Sequence, residues 1–158
     1  MLDTTVLLAG IIWPRFPYEV LQHALSSDFQ PVLSPFLIQE ARRKFAEKFP
    51  SHVTAFEEFL VDLAFEEAPD PSSAEIQENT DLMRDLTDIP VALAAIDAGV
   101  DYLVSEDKDF TSSHKTTEKL HQRLRVLLPG TFLREVMGWS SEGLAAIRRR
   151  EWADLTGE

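Results

Sequence analysis

Residues 88–110, DIPVALAAIDAGVDYLVSEDKDF, constrain the fold of this chain more than any other segment. Asp88 can cap the start of a helix, Pro90 suits its first turn, and Gly99 can end it. Because this helix is apolar all round through its middle, we expect it to be buried. The apolar residues of DYLVS then follow at once as a strand. A helix joined to a strand by a tight turn indicates half of a βαβ unit.

The rest of the chain also alternates helices with strands. Helices are predicted for FPYEVLQHALSSD, SPFLIQEARRKFAEKF, HVTAFEEFLVDLAF, AEIQENTDLMRDL, TFLREVM and SSEGLAAIRRREWADL. Ser34 and Pro35 are the expected N-cap and first residue of the second of these. FQPVLS and RVLLP are predicted strands, EEAPDPSSAE is a predicted loop, and TVLLAGII is either a buried strand or a helix. This alternation predicts an α/β fold with a parallel sheet covered on both faces.

Size and composition predict one globular domain. A chain of 158 residues can bury a core of its own. No apolar run approaches the roughly 18 residues of a membrane span, and the N-terminus lacks a secretory signal pattern. The sequence has no cysteine, which excludes disulfides and thiolate metal sites and fits a cytoplasmic location. We therefore expect a soluble, cytoplasmic protein.

The net charge of −12 argues against a broad basic surface for nucleic acid. It is compatible with acids that are gathered to hold cations, with basic residues only at the rim of the site. Three basic stretches could form such a rim: EARRKFAEK, KLHQRLR and IRRRE. Each of them is also typical of a solvated helix face.

Four acids stand out by their positions. Asp3 begins the first apolar run, Glu40 lies beside the apolar face of its helix, and Asp88 and Asp107 stand at a helix start and a strand end. Taken singly, they could be an N-cap, a surface acid and loop residues. Ligands of parallel sheets bind at the carboxyl ends of the strands. Two carboxylates about 4 Å apart repel by about 4 kcal/mol at an effective dielectric of 20, so converging acids require protonation or a cation.

The segment from Asp88 to Asp107, with its nineteen-residue interval, resembles the PIN-domain nucleases. LDTTVLLAGI resembles the opening Asp motif of that family, VLSPFLIQEARRKF its Ser-to-Glu helix, and RVLLPGTFLREV its last strand and helix. The resemblance covers residues 1–138. It leaves residues 139–158 as a C-terminal amphipathic helix that packs on the domain or on a partner.

The resemblance implies a three-layer α/β/α sandwich with a central, mostly parallel sheet. It also implies a site whose residues are the catalytic and metal-binding acids Asp3, Glu40, Asp88 and Asp107, the accessory metal ligand Asp109, and the polar neighbours Thr5 and Ser105. Oxygen ligands without cysteine favour Mg²⁺ or Mn²⁺ over Zn²⁺. The implied activity is hydrolysis of RNA by metal-activated water, leaving a 5′-phosphate and a 3′-hydroxyl.

Many PIN proteins are toxins of toxin–antitoxin pairs, so the resemblance also implies an antitoxin partner. An antitoxin arginine in the acidic pocket would be a natural inhibitor. Two departures from the family stand at the N-terminus. Only two residues precede Asp3, which predicts a short first strand, and Thr5 occupies a position where Asn is usual.

Three alternatives remain open. A calcium loop would use Asp107, Asp109, Thr111 and Glu118 as positions 1, 3, 5 and 12, although Ser112 stands where glycine is required. A catalytically degenerate PIN-like module would only bind RNA or a protein partner. A phosphoacceptor receiver domain would need an acid pair on the first strand and a late lysine, and the chain has only Asp3 there.

Other residues with chemical potential have simpler interpretations. His114 and His121 are seven residues apart but are expected at the surface, and His23 and His52 are scattered. Lys108 is either a phosphate contact or a solvated turn residue. Trp139 and Trp152 are expected to pack the terminal helix onto the domain or onto a second copy of the chain.

Overall fold

Helices form most of the region that the computed structural model describes, residues 1–157. The helices are α1 (Thr4–Ile12), α2 (Phe16–Leu25), α3 (Pro35–Lys48), α4 (Val53–Asp62), α5 (Ser73–Glu78), α6 (Ile89–Ala98), α7 (Lys108–Thr111), α8 (Glu118–Arg123), α9 (Pro129–Glu135), α10 (Ser141–Ile147) and α11 (Trp152–Thr156). The strands have two residues each and are β1 (Val32–Leu33), β2 (Glu66–Glu67), β3 (Leu103–Val104) and β4 (Val126–Leu127).

All strand pairing in residues 1–157 is parallel. β1 pairs with β2, and β3 pairs with β4. Leu2 forms a single parallel bridge with Val104, so the first strand is reduced to one bridged residue. The fold is therefore α/β, with helices predominating and with parallel pairing confined to short segments.

Two local predictions are confirmed in detail. Ser34 caps α3, because its Oγ accepts a hydrogen bond from the Leu37 N–H at 3.2 Å, and Pro35 is the first helical residue. Gly99 follows α6 in the left-handed conformation, with φ 65°. Glycine adopts this conformation without the steric cost that a Cβ imposes, so it fixes the end of α6 and the turn into β3.

Other predicted elements need correction or a choice. TVLLAGII is a helix, α1, rather than a strand. The predicted loop EEAPDPSSAE contains β2, whose backbone pairs with β1 although its side chains are exposed and charged. The polar helix predicted over AEIQENTDLMRDL ends at Glu78, where Asn79 leaves the helical conformation. The terminal helix predicted over SSEGLAAIRRREWADL is divided into α10 and α11, with extended backbone at Glu151 between them.

Helix α6 and strand β3 contribute many of the buried residues of the hydrophobic core. The buried residues of α6 are Ile89, Val91, Ala92, Leu93, Ala94 and Ala95. Both residues of β3 are buried as well. On the other side of the core, Phe45 of α3 stacks on Phe56 of α4 with ring centroids 4.8 Å apart. The segment predicted to be most buried is therefore part of the hydrophobic core.

The C-terminal helices contact the N-terminal part of the chain. Arg150 donates to the carboxylate of Glu19 at 2.6 Å and to the Pro14 carbonyl at 2.7 Å. The indole N–H of Trp152 donates to the Ile12 carbonyl at 2.9 Å. The indole N–H of Trp139 reaches His23 Nε2 at 2.9 Å. In residues 1–157 no helix has the length and apolarity that crossing a membrane requires.

Candidate active site

A cleft of about 370 Å³ opens where α1, α3 and α6 begin or pass near the end of β3. Its lining consists of Asp3, Thr4, Thr5, Phe36, Glu40, Arg43, Lys44, Asp85, Thr87, Asp88 and Asp107. Five of these residues are acids, and they come from four separate segments of the chain. The topology therefore gathers side chains at this cleft that are distant in sequence.

Asp3 is held rigidly on the floor of the cleft. The side chain of Asp3 is buried, and its Oδ2 accepts hydrogen bonds from Ser105 Oγ at 2.7 Å and from Thr5 Oγ1 at 3.0 Å. The Asp3 N–H pairs with the Val104 carbonyl at 3.0 Å, which ties this residue to β3. Burial raises the pKa of Asp3 despite these hydrogen bonds. Asp3 is thus oriented by the protein but not neutralised by a basic group.

Ser105 links Asp3 to Asp107. Besides donating to Asp3, its buried Oγ accepts a hydrogen bond from the Asp107 N–H at 3.0 Å. The carboxylate of Asp107 in turn caps α7 by accepting from the Asp109 N–H at 2.9 Å. The acids that follow the strand are therefore fixed by a continuous chain of hydrogen bonds that starts at Asp3.

Asp88 does not cap α6 as predicted. The residue lies at the end of a short 3-10 turn, Leu86–Asp88, and has helical backbone angles, and its carboxylate accepts no hydrogen bond from the first N–H groups of α6. Its Oδ2 is buried and has no hydrogen-bond partner within the described chain. Burial, together with the negative charge of Asp107, raises the pKa of Asp88 to about 7. A buried, unpartnered carboxylate oxygen is unstable without a proton or a cation.

Glu40 lies on the wall that α3 contributes. Its side chain is 20% exposed, and the Lys44 ammonium lies 3.6 Å from its Oε1. At this distance the pair is looser than a good charge-assisted hydrogen bond. Glu40 therefore faces the cleft with only a weak partner, as its position beside the apolar face of α3 predicts.

A second group of acids adjoins Asp88. In residues 1–157, carboxylate oxygens of Asp85, Asp88 and Asp109 all lie within 4.8 Å of one another. Arg84 donates to Asp109 Oδ1 at 2.8 Å, and Asp85 accepts hydrogen bonds from the N–H and hydroxyl of Thr87. These Thr87 hydrogen bonds lower the pKa of Asp85. Two of the three acids thus have partners, whereas Asp88 has none at its buried oxygen.

The structure brings the predicted acids together at one cleft, with one exception. Asp3, Glu40, Asp88 and Asp107 all line it. Asp109 does not line it but lies beside Asp88. Of the three basic stretches, EARRKFAEK contributes Arg43 and Lys44 to the lining, while KLHQRLR and IRRRE contribute no lining residue.

The calcium-loop alternative is wrong. Residues 108–111 form the short helix α7 rather than a ligand loop. Glu118 begins α8 after an intervening 3-10 turn. The acids that approach one another within the described residues are Asp85, Asp88 and Asp109 instead.

Sequence reasoning missed Asp85, Arg84 and Thr4. Thr4 lines the cleft, is 1% exposed, and its hydroxyl has no partner in the described chain. Asp85 and Arg84 lie in a polar segment without a hydrophobic period, so no pattern showed which of its side chains turn inward. The short spacing between Asp85 and Asp88 was the only available signal.

The match to a family model settles the relationship of this arrangement to known proteins. The model is that of the PIN domain, and it matches residues 1–109. The chain belongs to the PIN domain family. The matched PIN region contains every acid of the cleft and also Asp109 and Arg84. The PIN domain is an α/β nuclease fold, and in this member its acids form a cluster at the surface. No match to the chain is found among curated proteins.

Proposed function

We propose that this PIN protein is a metal-dependent endoribonuclease whose catalytic and metal-binding acids are Asp3, Glu40, Asp88 and Asp107, with Asp109 as an accessory ligand. The observation that carries the proposal is the buried, unpartnered Oδ2 of Asp88 in a cleft lined by further acids. A structural acid would have a hydrogen-bond donor at that atom. A site for a cation needs an available oxygen there.

The donor set of the cleft fits Mg²⁺ or Mn²⁺. Every candidate ligand is a carboxylate or hydroxyl oxygen, and no histidine of the described chain lines the cleft. Hard divalent cations prefer such ligands, and Mg²⁺ keeps several waters while binding only a few carboxylates. Four carboxylates from four segments therefore suffice for one or two ions.

The residues of the cleft have separable roles in this mechanism. A bound divalent cation would make a water more acidic and offset the charge that develops on the phosphate. Asp3 would hold the cation in a fixed place, because Ser105 and Thr5 orient its carboxylate. Asp88 and Asp107 would complete the ligand set, and either would serve to take a proton from the attacking water. The unpartnered hydroxyl of Thr4 could donate to a water or to a phosphate oxygen in the cleft.

The finer architecture also belongs to this proposal. The two parallel strand pairs and the Leu2 bridge would together represent one central sheet between helical layers, as in a three-layer α/β/α sandwich. Residues 1–138 would form the nuclease domain, and residues 139–158 a C-terminal helical segment. The contacts of Arg150 and Trp152 with the α1–α2 region support docking of that segment on the domain.

We further propose that the protein is the toxin of a toxin–antitoxin pair. The contact between Arg84 and Asp109 supports an inhibitory partner, since it demonstrates that a guanidinium can reach the acids beside Asp88. An antitoxin arginine would make the same charge-assisted contact from outside the chain. This partner would compete with the metal for the acids and would leave the fold unchanged.

Cleavage of a labelled mixed RNA pool tests the proposed activity. The assay compares Mg²⁺, Mn²⁺ and EDTA, and runs Asp107→Asn beside Asp62→Asn, which removes one exposed acid on α4. We expect cutting only with metal, products with 5′-phosphate ends, and a loss of at least about 100-fold in Asp107→Asn alone. RNA binding without cleavage in every metal would instead favour the degenerate, binding-only module.

A further inference from the structure

The cleft has basic side chains on only one of its walls. Arg43 and Lys44 of α3 line it together with the acids, and both follow Glu40 by about one helical turn. Their immediate neighbour Arg42 is not part of the lining. Three consecutive cations on one helix are thus divided between the cleft and the outer surface.

The ion pairs of these three residues differ in the same sense. Arg42 makes a two-pronged pair with Glu57, with contacts of 2.7 Å and 3.0 Å. Arg43 has only a 3.4 Å contact with Glu47, both side chains being more than half exposed, and Lys44 has only the 3.6 Å contact with Glu40. The Arg43 pair is long and exposed, and the Lys44 pair, although less exposed, is too long for a good charge-assisted hydrogen bond, so both pairs contribute little. Arg43 and Lys44 are therefore available to an incoming anion, whereas Arg42 is committed.

The charge balance of the cleft gives these residues a function. Five acidic residues outnumber the two cations, so a polyanion would be repelled everywhere except at the α3 wall. A cation that occupied Glu40 would also release Lys44 from its partner. The same event that prepares the acids would then free an ammonium for a phosphate group beside them.

We propose that Arg43 and Lys44 are positioning residues that bind the phosphodiester backbone of a single-stranded RNA next to the acids. This inference rests on the proposed RNA substrate, and it specifies that the RNA lies along the α3 wall of the cleft. Arg43 contacts a phosphate through its planar guanidinium, and Lys44 contacts one as a point charge. Because only phosphate oxygens are contacted, the preference for base sequence arises elsewhere.

Fluorescence anisotropy of a short labelled single-stranded RNA tests this proposal without cleavage. Binding is measured in EDTA over a range of salt concentrations for the wild type, Arg43→Gln, Lys44→Gln and the control Arg42→Gln. We expect each cleft variant to weaken binding on the order of tenfold and to reduce the salt slope by about 0.7, the value for one phosphate contact on a single strand. Arg42→Gln should match the wild type, and DNA of the same sequence should show the same losses.

A second set of variants isolates Lys44. Glu40→Gln should tighten RNA binding in EDTA, because it removes a like charge and frees Lys44. The gain should be smaller when Glu40→Gln is introduced into Lys44→Gln, because only the removal of the like charge then remains. In the cleavage assay with Mn²⁺, Arg43→Gln and Lys44→Gln should raise KM with little change in kcat. Binding losses no larger than that of Arg42→Gln, or a wild type that binds no RNA, would overturn the proposal. RNA binding through Arg43 and Lys44 without any cleavage would contradict the nuclease proposal but would still support RNA binding by these two residues.

Discussion

Asp88 is the residue whose surroundings conflict most with its charge. It is half-buried, its Oδ2 has no donor in the described chain, and Asp107 adds a negative charge nearby. Such a residue lowers the stability of the folded chain, because an uncompensated charge in a desolvated place is unfavourable. In a cation site such a residue is destabilising only in the metal-free protein, because a bound cation compensates its charge.

Replacement of Asp88 with asparagine should stabilise the metal-free chain. The pKa of Asp88 rises from 3.8 to about 7 on folding. Between about pH 4 and pH 7 the folded chain therefore holds a proton that the unfolded chain has released, so the free energy of unfolding falls as pH rises through this window. The asparagine side chain carries no charge, and this part of the fall should vanish. At pH 8 in EDTA we expect Tm to increase by roughly 2–4 °C, the change that about 1 kcal/mol produces in a domain of this size.

Urea denaturation across pH 4–8 measures this effect. Asp62→Asn is the matched control, since it removes an exposed acid from α4 and should leave the pH profile parallel to that of the wild type. A parallel profile for Asp88→Asn as well would contradict the electrostatic conflict assigned to Asp88.

Ser105 is the second residue with a testable role, because it connects Asp3 to the Asp107 backbone. Ser105→Ala removes a donor to a buried carboxylate and leaves an N–H without its acceptor. We expect a loss of about 1–3 kcal/mol in the free energy of unfolding. Ser113→Ala, at an exposed position, should cost less than about 0.5 kcal/mol. Equal effects of the two substitutions in urea denaturation would disprove the connecting role.

Local sequence signals specified some elements and failed at others for physical reasons. Ser34, Pro35 and Gly99 act on their own backbone, so the start of α3 and the end of α6 could be predicted. β2 could not, because two glutamates gain strand pairing only through the backbone of a distant segment. The acid Asp88 was predicted as a cap because nothing in its sequence reveals the 3-10 turn that precedes α6, where its side chain makes no capping hydrogen bond.

The candidate site followed the same division. Asp3, Asp88 and Asp107 could be selected because each stands at an end of an apolar element, and Glu40 because it lies beside the apolar face of its helix. Asp85 and Arg84 could not, since their polar segment takes its path from contacts with Thr87 and Asp109 rather than from a pattern of its own. Side-chain partners of that kind appear only after the chain has folded.

The packing of α1 on α2 depends on Gly10. A Cβ at this position would lie 2.4 Å from Leu21 Cδ1 and 3.0 Å from the Pro17 carbonyl oxygen. Alanine is a better helix former than glycine, but here the overlap should outweigh that gain of roughly 1 kcal/mol. We expect Gly10→Ala to lower the free energy of unfolding by about 1–3 kcal/mol in urea denaturation.

Gly143→Ala in α10 provides the comparison for Gly10→Ala. Its Cβ would lie 3.2 Å from Ser140 Oγ, which caps α10 by accepting from the Gly143 N–H, so a shift of a few tenths of an ångström relieves the contact. This substitution should therefore be close to neutral. If Gly10→Ala were equally neutral, the close approach of α1 and α2 would not depend on glycine.

Arg150 holds the C-terminal helices to the rest of the molecule. Its guanidinium binds Glu19 and the Pro14 carbonyl, and it lies over the Tyr18 ring at 5.7 Å. Arg150→Ala leaves Glu19 without a partner in a largely buried place, so we expect a loss of about 2 kcal/mol, below the value for a fully buried pair. The exposed neighbour Arg149 is the control, and Arg149→Ala should change the free energy of unfolding by less than about 0.5 kcal/mol. Equal losses would show that the terminal segment is held by other contacts.

The whole molecule carries a net charge of −12, yet its proposed substrate, RNA, is a polyanion. Arg43 and Lys44 give the cleft a basic wall for RNA, and a divalent cation bound to the cleft acids would reduce the remaining repulsion. The affinity of the cleft acids for a divalent metal is therefore the property on which the proposed nuclease activity depends.

Titration of the protein with Mn²⁺, with free Mn²⁺ followed by electron paramagnetic resonance, measures that property directly. We predict one or two ions bound per chain in the wild type and in Asp62→Asn. Binding should be weakened at least about tenfold in Asp88→Asn and in Asp107→Asn, because each removes a carboxylate ligand. The free-ion signal should return on addition of excess Mg²⁺, which competes for the same oxygens. Equal Mn²⁺ binding by the wild type and by both cleft variants would contradict the proposal that Asp88 and Asp107 hold the cation, since the cleft acids would then not be the cation site.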